Sequence, residues 1–286
     1  MDTFKYFKPQ DIQEAFDIIQ QEGESVRFLA GGTDLLVRLK SRHIVPDAVV
    51  DLKAIDDLNL GIRINGQEVM IGSLTTFSKI STDPIILEQF PALADAASEV
   101  GSVQIRNRAT IGGNICNASP AADSLPPLFI YDAKVKLMKK DSSRIIPIDS
   151  FLLGPGKTAL AEGELLAGIV IPIPASDQAA SFTRLTRRRG ADLATINICC
   201  QVFRGGQTRF AVGAAAPVPF IVEDPSGLLS DPSGDPAAKR AIVEELMQAA
   251  SPISDVRASK EYRQAMVVNL ALRALDNAMH TLGGQA

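Results

Sequence analysis

Hydrophobic positions along the chain switch between a helical and a strand period, and the switches mark its elements. From about Pro9 to Gln21, the residues Ile12, Ala15, Phe16 and Ile19 fall at i, i+3, i+4 and i+7 with Gly23 as a stop, which predicts an amphipathic helix. The short apolar run Val26 to Ala30 predicts a strand. Leu35, Leu36 and Leu39, within Thr33 to Lys40, then return to helical spacing, so Gly31-Gly32 sits at a strand-to-helix turn. Val49 to Leu52 and Val69 to Gly72 read as further short strands, with Asn65-Gly66 as a hairpin signal between Ile62 and Val69.

After Pro91, the residues Leu93, Ala96, Ala97 and Val100 mark one face of a second strong helix, which leads directly into another glycine motif, Thr110-Ile111-Gly112-Gly113-Asn114. Beyond it, Ala133 to Met138 alternates as a half-buried strand, and Gly154-Pro155-Gly156 marks a sharp turn. The stretch Ile169 to Ala180, with Pro172 and Pro174, is the preferred domain boundary. It divides residues 1–175, with subdomains at about 1–55 and 56–175, from residues 176–286. The remainder runs from strands (Ala194 to Phe203, Phe210 to Ala214) to helices (about Pro236 to Ala250 and Lys260 to His280), an α+β order. Pro225 to Pro236 reads as an exposed loop between them.

Composition narrows the chemistry. At 286 residues with 46% hydrophobic and 22% charged positions, the chain has the make-up of a globular protein with more than one core. A net charge of −4 offers no general attraction for nucleic acid or acidic membranes. The start carries no secretory pattern and no apolar run approaches about 18 residues, so the expected location is cytoplasmic. Three cysteines, Cys116, Cys199 and Cys200, are too few for an iron–sulfur cluster, and His43 and His280 stand far apart. No metal site is expected, and redox chemistry here would need an organic cofactor. Cys199 and Cys200 would point to opposite faces of a strand, and Cys116 reads as a small buried hydrophobe.

The two glycine motifs carry the candidate chemistry. Phe28-Leu29-Ala30-Gly31-Gly32-Thr33-Asp34-Leu35 has the make-up of a phosphate cradle: glycines let backbone N–H groups approach, a helix start adds partial positive charge, and Thr33 adds a hydroxyl. Alone it is as readily a structural turn as an anion site. The second motif repeats the pattern and is followed by Asn117, Ser119 and Asp123. Two such motifs favour a diphosphate ligand such as FAD. Asp123 reads either as the N-cap of a following short helix or as a ligand contact. The cluster Arg184, Arg187, Arg188, Arg189 reads as a solvated turn, with flavin contact or docking on an acidic partner face as the functional alternative.

Taken in order, AGGTDLLVRLK at 30–40, VGSVQIRNRATIGGNICNASPAADS at 100–124 and RRRGADLATI at 187–196 resemble the FAD-binding (medium) subunits of molybdenum hydroxylases. GPGK at 154–157, AAPVP at 215–219 and RASKEYR at 257–263 extend the likeness, which is nearest to the flavin subunit of bacterial xanthine dehydrogenases. The resemblance implies an α+β protein: a two-subdomain FAD-binding fold of the molybdenum hydroxylase/vanillyl-alcohol-oxidase-like type, its subdomains both α/β, plus a C-terminal domain of antiparallel sheet with helices. It implies that Phe28, Leu29, Ala30, Gly31, Gly32, Thr33, Asp34 and Leu35 wrap the FAD pyrophosphate. Thr110, Gly113, Asn114, Asn117 and Asp123 would hold phosphate, ribityl or adenosine-side groups. Leu166 and Leu193 would border the isoalloxazine, with Arg184 as a flavin or phosphate contact where related chains often carry Lys.

Such subunits work beside a large molybdenum-cofactor subunit and a small subunit with two [2Fe-2S] clusters, in an assembly expected to be a dimer of heterotrimers. The resemblance implies that electrons from the clusters reach FAD and then NAD+, with xanthine as the expected substrate of the large subunit and nicotinate, another N-heterocycle, an aldehyde or carbon monoxide as alternatives. No catalytic acid or base is assigned to this chain. A self-contained flavin oxidase and a non-redox nucleotide-binding or scaffold protein are the competing readings; the first would retain flavin through acid precipitation, and the second would bind none.

Overall fold

Asp11 opens the first helix, Ile12–Glu22, by accepting from the Glu14 N–H, and Gly23 closes it at φ 74°. The helix buries Ala15, Phe16 and Ile19 against a three-stranded sheet whose order is Lys5–Phe7, Ala48–Asp51, Val26–Leu29. Both pairings are parallel because each connection carries a helix, the second being Leu35–Lys40. The structure, a computed structural model, describes residues 3–283.

A second unit is built on a five-stranded antiparallel sheet in the order Ile62–Asn65, Glu68–Gly72, Leu165–Pro172, Lys134–Lys139, Ser142–Pro147. The resemblance led us to expect a second α/β subdomain; this sheet is antiparallel throughout, two hairpins (Ile62–Asn65 with Glu68–Gly72, Lys134–Lys139 with Ser142–Pro147) flanking Leu165–Pro172, which pairs antiparallel with both. Its middle strand is buried on both faces. Leu166, Ile169 and Ile171 face the core shared with the surrounding helices, while Leu165 and Ala167 face the core of the first unit. That strand therefore ties the two units together, and its lack of alternation follows from burial on both sides.

The C-terminal sheet is antiparallel, in the order Gln178–Leu185, Ile196–Phe203, Thr208–Gly213, Phe220–Asp224. Cys199 and Ala211 pack into the central core, whereas Ile198, Cys200 and Val202 pack under the helices Pro236–Leu246 and Lys260–Gly283. The two neighbouring cysteines thus lie on opposite faces, as their strand position requires. Within the stretch 169–180, Ile169 to Pro172 end one strand and Gln178 to Ala180 begin another. Among the described residues no helix is long and apolar enough to cross a membrane.

The segments 215–219 and 257–263 close this C-terminal unit. Arg263, 2% exposed, donates to the carbonyls of Thr195 (2.8 Å) and Ala214 (2.9 Å) and pairs with Asp255 at 2.7 Å. Arg257 pairs with the same carboxylate at 2.6 Å and donates to the Ala194 carbonyl at 3.1 Å. The two arginines hold the Asp255 carboxyl well below the usual carboxylate range, against the opposing effect of burial.

Candidate cofactor site

The chain leaves strand Val26–Leu29 through Ala30-Gly31-Gly32. Gly31 packs on the backbone of Arg108 and Ala109, where a Cβ would lie 2.7 Å from the Arg108 carbonyl carbon. Gly32 takes φ 78°, a left-handed conformation that favours glycine. No described residue accepts from the backbone N–H groups of Gly31, Gly32, Thr33 or Asp34. These consecutive donors line a cleft and are open for an acceptor.

The second motif is built differently. We expected a glycine loop reached directly from helix Pro91–Glu99; instead the short helix Val103–Arg106 intervenes, and the motif is itself the first turn of helix Ile111–Asn117. Thr110 caps that turn, its Oγ1 accepting from the Gly113 N–H at 3.1 Å. Ile111 and Gly112 donate to the carbonyls of Thr75 (3.0 Å) and Ser73 (2.9 Å), and Asn114 donates to the Thr110 carbonyl at 3.0 Å. Gly112 is pressed on Ser73, where a Cβ would fall 2.7 Å from the Ser73 carbonyl oxygen. The Ile111 and Gly112 amides hold the motif against 73–77, and those of Gly113 and Asn114 close its first turn on Thr110, so what these four residues offer a ligand is side chains.

The two motifs form facing walls of one cleft of about 290 Å³, lined by Phe28, Ala30 to Leu35, Thr110, Gly113, Asn114, Asn117 and Leu166 among the sequence-predicted residues. Leu52, Leu74, Leu160 and Leu165 add apolar wall. Cys116 is half-buried there, and burial pushes its thiol up to about 12, so it stays protonated and behaves as a small apolar group. Ser73 Oγ, also in the wall, is buried with no hydrogen-bond partner among the described residues.

Four predicted residues fall outside the cleft lining. Leu29 packs behind the first turn, where a Cβ on Gly32 would come 3.0 Å from its Cδ1. Leu193 is 60% exposed, at the start of the segment entering strand Ile196–Phe203. Asp123 and Arg184 form a buried pair at 2.8 Å, with Asn197 Nδ2 donating to the other Asp123 oxygen at 3.0 Å. Arg184 also pairs with Glu99 at 2.6 Å. The N-cap reading of Asp123 fails: Ser124 occupies the cap of helix Leu125–Ile130 without a side-chain capping bond. Burial outweighs Arg184 and Asn197 and raises the Asp123 carboxyl to about 6. This cluster adjoins the cleft through Ser124, whose hydroxyl donates to Asn114 Oδ1 at 2.7 Å.

Arg187 and Arg188 follow the solvated-turn reading, both on Asp192, at 2.9 Å and 3.9 Å. Sequence reasoning missed Asn197, Glu99, Ser124 and Ser73. Only Asn197 carried a signal, as a polar residue inside the apolar run Ala194 to Phe203.

A cleft with open backbone donors on one wall, hydroxyl and amide side chains on the other and an apolar lining has the donor set for a dinucleotide bearing a diphosphate and a flat apolar ring. Residues 2–174 match the FAD binding domain in molybdopterin dehydrogenase, and residues 181–278 match the CO dehydrogenase flavoprotein C-terminal domain. The chain belongs to the FAD-binding subunits of the molybdenum hydroxylases, and FAD is the cofactor this fold binds. It is 31% identical to the xanthine dehydrogenase FAD-binding subunit of Escherichia coli O157:H7 over 99% of each chain. It is 34% identical to the nicotinate dehydrogenase FAD-subunit of Eubacterium barkeri over 68% of this chain and 67% of that one. Among solved structures, it matches carbon monoxide dehydrogenase from Hydrogenophaga pseudoflava lacking the Mo-pyranopterin moiety, with a TM-score of 0.89 and 29% identity over 98% of each chain.

Proposed function

We propose that this chain is the flavin subunit of a xanthine dehydrogenase, carrying electrons from the [2Fe-2S] clusters of a small partner subunit through FAD to NAD+ while a large molybdenum-cofactor subunit oxidises the substrate. The observation that carries this reading is the run of open N–H groups at Gly31, Gly32, Thr33 and Asp34 facing Thr110, Asn114 and Asn117 across one cleft. The open amides would hold the diphosphate. Thr110, Gly113, Asn114 and Asn117 would meet the remaining phosphate, ribityl or adenosine-side groups. Leu166 and Leu193 would border the flat ring, Leu193 from the C-terminal unit, with Asp123 beside the cleft and its partner Arg184 reaching in from the C-terminal unit. FAD bound there supplies the redox chemistry, and the chain supplies position, dryness and local charge.

Xanthine is favoured by the full-length similarity to the Escherichia coli xanthine dehydrogenase subunit. A second reading, with nicotinate or carbon monoxide as the substrate of the partner, is supported by relatives of comparable identity carrying those names. The division between the flavin-binding unit and the C-terminal unit falls at about residue 175 on this proposal, the assembly is a dimer of heterotrimers, and it works in the cytoplasm. Purification of the native complex tests all of this together. Molybdenum, iron and flavin should copurify, and NAD+ should be reduced with xanthine but not with nicotinate or carbon monoxide; a chain that always purifies alone contradicts the subunit reading.

A further inference from the structure

We infer that Arg38 is a direct ligand of the FAD diphosphate, with Asn117 holding its guanidinium in place from the opposite wall. The inference rests on the cleft being the FAD site. Arg38 stands one turn beyond Asp34 on helix Leu35–Lys40, and side chains on a helix lean toward its N-terminus, which carries a long guanidinium back toward the open amides. It lines the cleft, and its Nη2 donates to Asn117 Oδ1 at 2.8 Å. Asn117 ends helix Ile111–Asn117, so this one bond spans the two glycine segments.

Two arginines line the cleft, Arg27 and Arg38, and Arg27 Nη1 donates to the adjacent Val26 carbonyl at 2.8 Å. Glu164, in the same lining, is neutralised by Arg144 at 2.8 Å. Arg38 has no carboxylate partner among the described residues; it is held by a neutral amide and keeps its charge and most of its N–H donors. The amides of 31–34 supply dipoles but no net charge, and Asp34 adds a negative group to the same wall. A dianionic diphosphate there needs a cation, and a forked guanidinium matches phosphate oxygens. Arg38 is exposed, so the contact is screened by salt and its effect is moderate.

The test is titration of the full-length chain with FAD and with riboflavin, which lacks phosphate, at low and high salt. Arg38→Gln should weaken FAD by roughly tenfold at low salt and flatten the salt dependence, with riboflavin unchanged and Arg38→Lys recovering part of the loss. Arg38→Gln should still weaken FAD in an Asn117→Ala background. If it has no effect there, Arg38 only latches Asn117 and the assignment fails. Equal loss for riboflavin, or an Arg38→Gln chain that binds FAD like wild type, overturns the assignment alone. A wild-type chain that takes up no FAD overturns both the assignment and the cofactor reading beneath it.

Discussion

Gly31 rests directly on the backbone of Arg108, with space for a hydrogen but not for a methyl group, since a Cβ would lie 2.7 Å from the Arg108 carbonyl carbon. The contact brings the first glycine segment against the residues that lead into the second, with no room for a side chain between them.

Gly31→Ala should push these segments apart. A loss of about 1–3 kcal/mol in stability is expected, together with weakened FAD uptake, read by chemical denaturation and flavin titration. Gly156 is the control: its φ of 69° costs alanine about 1–2 kcal/mol of strain but nothing lies within 4 Å of the added Cβ, so Gly156→Ala should leave FAD affinity unchanged.

Asp123 gives the fold a pH signature. Its carboxyl sits at about 6 in the folded chain, against about 3.9 for an unperturbed aspartate, chiefly because burial penalises the charged form. The folded state therefore holds a proton that the unfolded chain releases. The stabilisation is fully present below about pH 4 and is lost as pH rises through about 6, on the order of 2–3 kcal/mol. The thermal midpoint of the flavin-free chain should fall across that window, and the fall should be smaller in Asp123→Asn. A wild-type midpoint that falls no more across that window than the variant's would mean that Arg184 offsets burial.

Arg263 should be among the costliest side chains to remove. Arg263→Met leaves Asp255 with Arg257 alone and strips a partner from the carbonyls of Thr195 and Ala214, a loss of about 3–5 kcal/mol in urea unfolding. Arg263→Lys, which keeps the charge but not the fork, should recover only part of it.

Thr110→Val removes the hydroxyl that caps Gly113 and leaves that N–H without its partner. About 1 kcal/mol of stability should go, measured by denaturation. Thr110→Ser keeps the oxygen and should retain most of it.

Much of this was legible in the chain. Ile12, Ala15, Phe16 and Ile19 announce the first helix by spacing alone, and the adjacent Cys199 and Cys200 reach separate cores because a strand alternates. Strand Leu165–Pro172 leaves no alternating signature because it is buried on both faces. Helix Ile111–Asn117 is hidden in the sequence because Gly112, Gly113 and Asn114 are poor helix formers, and tertiary contacts with 73–77 override that preference. Glu99, on one helix, and Asn197, on a distant strand, meet around Arg184 and Asp123 only once the C-terminal sheet has packed on the central unit. Arg38 looks in sequence like any basic residue on the outer face of a helix. Its place on the cleft wall depends on where Asn117 ends up.

FAD uptake is predicted to depend on the cleft between the two glycine segments. The direct measurement is equilibrium FAD titration of the purified chain and of Gly31→Val, followed by flavin fluorescence alongside circular dichroism to confirm folding. We predict saturable uptake of one FAD per chain by the wild type and a loss of roughly a hundredfold or more in a folded Gly31→Val, in which the two walls can no longer meet. Unchanged affinity in that variant, or no saturable uptake by the wild type, would contradict it.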